Sequence, residues 1–150
     1  MLRCRSFTLV EVMIVTLVIS IAMAIAIPGV MRARVNANES VAMATLKTIS
    51  NAFEMYAANN QGQYPTDITA ELINSDPSFL NDDYFTQCTS SNPCKGYFYA
   101  VSGSLTGTSY TIVGRPAACS GPLNPGSGSK SFSIATGGVL TTDATCTDTP

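Results

Sequence analysis

The stretch Arg5-Ser6-Phe7-Thr8-Leu9-Val10-Glu11-Val12-Met13-Ile14-Val15 sets one carboxylate at the head of an apolar run that continues through Thr16 and Ser20 to Ile27, where Pro28-Gly29 closes it. At about 1.5 Å per residue, a helix over residues 7–30 covers about 36 Å, enough to span a bilayer with some tilt. Glu11 falls close to where hydrocarbon begins. A lone carboxylate there costs on the order of several kcal/mol unless it protonates, reaches the interface or meets a cation. The segment reads as a membrane helix whose one acid requires a partner.

Beyond Gly29 the helical period persists with a different character. Val35, Ala42, Leu46, Ile49, Phe53 and Tyr56 draw one apolar stripe, while Arg32, Arg34, Asn36, Asn38, Lys47, Asn51 and Glu54 fall largely off it. One helix is expected from about Thr8 to Ala58, roughly 75 Å long, with Gly62 and Pro65 as its breakers. Arg32 and Arg34, just past the membrane segment, read as a solvated face or as partners for acids such as Glu39 or Glu54 of another copy of the chain. Between Thr66 and Gln87, Asp67-Ile68-Thr69-Ala70-Glu71-Leu72 reads as a short capped helix and Asp76-Pro77 as a turn.

From Gly96 the period becomes two. Tyr97 to Val101, Tyr110 to Val113, Ser131 to Ile134 and Val139-Leu140 alternate or are rich in β-formers, separated by Gly- and Ser-bearing connections. The fold class is therefore α+β, a long N-terminal helix followed by an antiparallel sheet of three or four strands. The Gly/Pro-rich stretch from Gly121 to Gly128 reads as a surface loop for variable contacts.

Eight basic and ten acidic residues give a net charge of −2, with no Lys/Arg run, which argues against direct nucleic-acid binding. The chain has no histidine, no phosphate loop and no nucleotide-binding glycine fingerprint, so no catalytic constellation is visible and no cofactor is expected. Of the five cysteines, Cys4 precedes the apolar run and Cys88, Cys94, Cys119 and Cys146 follow it. An even set of four downstream suits an oxidising compartment, whereas zinc would want C-x-x-C pairs or histidines. Three connectivities exist; Cys88 with Cys94 and Cys119 with Cys146 is favoured, since it closes a local Ser/Asn/Pro loop and tethers the tail, and the other two stay open. Asp82, Asp83, Asp143 and Asp148 offer hard oxygen ligands without the spacing of a calcium loop, so no metal site is expected.

The order Phe7-Thr8-Leu9-Val10-Glu11 after a short basic leader resembles the amino terminus of type IV pilins and of type II secretion pseudopilins. The resemblance implies the pilin fold and a division into a leader at 1–6, a membrane and assembly half-helix at 7–30, an amphipathic half at 31–58 and a head at 59–150. It implies cleavage between Ser6 and Phe7 by a prepilin peptidase that also methylates the Phe7 amine, and pairing of Glu11 with the Phe7 amine of a neighbour during assembly. Serine at position 6 departs from the family's glycine. Pro28 matches a proline at about this place in the family's helix, a bend and joint in an assembled fibre. The resemblance further implies a homo-polymer or a co-polymer with related pilins, an inner-membrane assembly platform as partner, residence in the inner membrane before assembly, and then an extracellular pilus or a periplasmic pseudopilus.

Different readings are an ordinary secretory signal cut after Ala24 or Ala26, which would release a soluble binding domain, and a plain single-pass anchor. Glu11 sits badly in the apolar core of a secretory signal, and neither reading accounts for the Phe-Thr-Leu-Val-Glu order.

Overall fold

The computed structural model describes residues 7–120, 126–143 and 146. The expected leader at 1–6, most of the expected surface loop, and Asp148 lie outside the described residues. The chain divides into two compact units, residues 1–33 and 34–150, and helix α1, Leu9–Asn59, supplies residues to both. In the first unit every large apolar side chain from Phe7 to Met31 is exposed. Thr16 and Ser20 return their hydroxyls to the carbonyls of Met13 and Thr16 at 3.0 and 2.7 Å, so neither adds an unsatisfied polar group to this surface. The helix runs on through Pro28, as the expected single helix from about Thr8 to Ala58 requires. The proline lacks an N–H, which leaves the carbonyl of Ala24 without its usual donor.

In the second unit α1 ends by a change of backbone hand. Gln61 and Gly62 have φ of 57° and 83°, and the Gly62 amide donates to the Ala57 carbonyl at 2.8 Å, which caps the last turn. The chain then makes a π-type turn at Thr69–Ile73, where an ordinary short helix was expected. Asp67, just before it, accepts from the Ala70 amide at 3.0 Å. A further helix, α2, Tyr84–Gln87, was not anticipated; Asp83 caps it by accepting the amides of Phe85 and Thr86.

Four strands follow: β1 Tyr97–Val101, β2 Thr111–Pro116, β3 Ser131–Ala135 and β4 Val139–Asp143. They pair antiparallel in the order β1-β2-β3-β4, with Tyr99 opposite Gly114, Ile112 opposite Ile134 and Ile134 opposite Leu140. Alternation sets Tyr97, Tyr99, Ile112, Phe132 and Ile134 inward, where they form one core with Ala42, Leu46, Ile49 and Phe53 of α1. Gly114 lets helix and sheet approach closely: a Cβ there would lie 3.2 Å from the Tyr99 ring and 3.3 Å from Leu46. Truncating Leu46, fully buried at this contact, is worth about 2–5 kcal/mol. Two disulfides join Cys88 to Cys94 and Cys119 to Cys146, with Cα atoms 5.0 and 5.7 Å apart. The result is the α+β, pilin-like architecture of a long N-terminal helix followed by a four-stranded antiparallel sheet.

Candidate assembly site

Thr8 is the N-cap of α1. Its hydroxyl accepts the backbone N–H of Glu11 at 3.2 Å, and its carbonyl accepts the amides of Glu11 and Val12 at 3.1 and 3.3 Å. Thr8 and Glu11 therefore stand as the N-cap and third residue of a T-x-x-E capping sequence, a local signal that the sequence reading passed over. Only the threonine half of the exchange is made. Among the described residues the Glu11 carboxylate accepts no hydrogen bond, and it lies exposed in the first turn of a helix whose terminus favours negative charge.

Phe7 is 78 % exposed and lies within about one turn of Glu11, so cap and carboxylate share one end of the helix. Behind them the most apolar stretch of α1 is wholly unburied within the chain and is long and apolar enough to cross a membrane. An apolar surface of this extent calls for lipid or for other helices. Pro28 sits seventeen residues further along, about 26 Å from Glu11, and takes no part in this end. Ser6 lies outside the described residues. Cys88, Cys94, Cys119 and Cys146 belong to the head.

Two further carboxylates on α1 have a different fate. Glu39, only 8 % exposed, accepts both the amide and the hydroxyl of Ser129 at 2.9 and 2.6 Å, while its neighbour Asn38 donates to the Ser127 carbonyl at 3.0 Å. Glu54 accepts the Tyr64 hydroxyl at 3.0 Å on one oxygen, and the Tyr110 hydroxyl and Gly137 amide at 2.9 and 2.8 Å on the other. Both were considered as acids for Arg32 and Arg34 of neighbouring subunits. Both are already engaged by hydrogen-bond donors of their own head. Glu11 thus differs in kind from the other acids of α1.

Residues 1–27 match the family model described as the prokaryotic N-terminal methylation motif. The chain therefore carries the class III signal peptide of the type IV pilin and pseudopilin family, a motif of structural proteins processed by prepilin peptidase. With the apolar helix behind it, the motif marks a protein anchored in a membrane before assembly. No curated protein matches the chain. Among the described residues no group of three or more His, Cys, Asp or Glu side chains is placed to hold a metal.

Proposed function

We propose that this chain is the structural subunit of a type IV pilus-like filament, without enzymatic activity, polymerising through its N-terminal helix. The supporting observation is the exposed carboxylate of Glu11, which accepts no hydrogen bond among the described residues, at the capped end of α1 where the helix is apolar and unburied. After cleavage at Ser6-Phe7 the nearest cation is the new Phe7 amine. Bringing that amine from one copy to Glu11 of the next neutralises two charges that neither hydrocarbon nor a packed helix bundle tolerates singly. The apolar flanks of α1 then bury against one another, and Pro28 falls inside the packed region, where neighbouring helices can meet the freed carbonyl. In this reading residues 1–6 are the leader, 7–30 the assembly half of the helix, 31–58 its amphipathic half and 59–150 the head. The subunit waits in the inner membrane, is processed by the peptidase, is extracted by an assembly platform and ends in an extracellular fibre.

A periplasmic pseudopilus for protein secretion is the second reading, favoured by the Tyr64-Pro65 turn after the helix, which resembles the major pseudopilins; the two cystines of the head favour the pilus. Glu11→Ala tests the shared claim. The variant is expected to insert in the membrane normally and to be absent from sheared filament fractions, and undiminished filaments would remove the proposed pairing.

A further inference from the structure

A cleft of about 450 Å³ opens where α1 gives way to the Gln61-Gly62 reversal. The half-buried rings of Tyr56 and Tyr64, the carboxylate of Glu71 and amide side chains including Gln61 and Gln63 form its walls, and no cation is among them. Glu71 is fixed in place because one of its oxygens accepts the amides of Thr66 and Asp67 at 2.7 and 3.1 Å. Tyrosine faces, amide oxygens and a held carboxylate present negative potential, an environment suited to an ammonium group. Residues 60–92, which supply the cleft's loop wall, contain five carboxylates and no lysine or arginine.

The other end of the same head carries the complementary group. Lys95 and Gly96, with φ of 51° and 81°, are the two central residues of a tight reversal closed by reciprocal hydrogen bonds between Cys94 and Tyr97 at 2.8 and 3.0 Å. A turn of this hand favours Asn, Asp or Gly at its first central position, so an exposed lysine there runs against the local chemistry. Departures of this kind concentrate at working positions. The turn is held on both sides, by the Cys88–Cys94 disulfide and by Gly96, where a Cβ would lie 3.2 Å from the Asn38 amide nitrogen. Lys95 is thus presented level with Asn38, whereas the cleft is level with Asn59, about 32 Å further along the same helix.

We infer that the ammonium of Lys95 enters the Tyr56–Tyr64–Glu71 cleft of a second copy of this chain. The inference rests on the filament reading above, which stands the copies parallel; a stagger of about 32 Å along the helix axis brings the two ends together. The contact is heterologous, with different surfaces on its two sides, so it propagates along an open array and does not close into a dimer. It adds a link between heads to the one between helices at Glu11.

Carbodiimide treatment of sheared filaments of the unaltered protein, followed by peptide mass spectrometry, tests it. A direct amide between Lys95 and Glu71 is expected in filaments and is expected to be missing from the detergent-solubilised, unassembled chain. Filaments in which other lysines cross-link and Lys95 does not would overturn the inference and leave the polymer reading standing; a mature protein that forms no filaments at all would remove both. Lys95→Gly separates assembly from folding. Glycine suits the left-handed turn, so the unfolding midpoint should hold or rise while the yield of sheared filaments falls about tenfold, the worth of one repeated charge-assisted contact. Undiminished filaments from that variant would also overturn the inference.

Discussion

Glu39 and Ser129, ninety residues apart, are joined by two hydrogen bonds to one carboxylate oxygen, 2.9 Å from the Ser129 amide and 2.6 Å from its hydroxyl. The pair, with the neighbouring Asn38–Ser127 bond, ties the first turns of the head's helix to the segment that leads into β3. Glu39→Ala removes both bonds and leaves a partly buried amide without its partner, an expected loss of about 2–3 kcal/mol in unfolding of the full chain in detergent. Glu39→Gln retains an acceptor and should lose less. Equal stability of all three proteins would mean that solvent replaces the carboxylate freely.

Burial holds the hydroxyls of Tyr97 and Tyr110 above the ordinary tyrosine pKa of 10.0, with the nearby charge of Glu39 adding to the effect at Tyr97 and that of Glu54 adding at Tyr110. A folded-state pKa above the unfolded one means that, past pH 10, the unfolded chain releases protons the folded chain keeps. Head stability should therefore be unaffected by these groups below about pH 10 and fall as pH rises beyond it. Denaturation midpoints between pH 8 and 11.5 check this, and Tyr97→Phe and Tyr110→Phe should each flatten the decline.

The disulfides differ in reach. Cys88–Cys94 spans 6 residues of sequence and Cys119–Cys146 spans 27, so loop-closure entropy gives about 2 kcal/mol for the first and about 3.5 kcal/mol for the second. Paired alanine substitutions at 119 and 146 should lower the unfolding midpoint more than those at 88 and 94. The reverse order would show that the short loop also organises α2 and β1.

Gly128 touches the core from outside. A Cβ there would overlap the hydroxyl and ring of Tyr97, which is fully buried and donates to the Lys130 carbonyl at 2.7 Å. Gly128→Ala should destabilise the head by about 1–3 kcal/mol, since the ring has nowhere to move. A neutral result in thermal unfolding would mean that the segment carrying Gly128 lifts away without loss.

The long helix and the strands were legible because their periods are local. Leu46, Ile49 and Phe53 repeat at helical spacing and Phe132 and Ile134 at strand spacing, and burial follows both. The polar residues that position the head were not legible. Glu39, Ser50 and Glu54 sit on or beside the buried face of α1, and their partners Ser129, Tyr110 and Gly137 come from 56 to 90 residues away, beyond the reach of any pattern. The π-type turn at Thr69–Ile73 and the four-residue α2 are too short for periodicity to register. At the candidate assembly site the T-x-x-E spacing of Thr8 and Glu11 is a readable capping signal, set at the head of an apolar run in which the same carboxylate also reads as a charge needing a partner.

The most direct test of a filament subunit assembled through Glu11 is the mature amino terminus, read by mass spectrometry from membranes and from sheared surface material. The account predicts a chain beginning at Phe7 with a methylated amine, recovered in both fractions. A chain beginning near Ile27, or one retaining Met1 in both fractions, would contradict it, because neither carries the amine that Glu11 is proposed to meet.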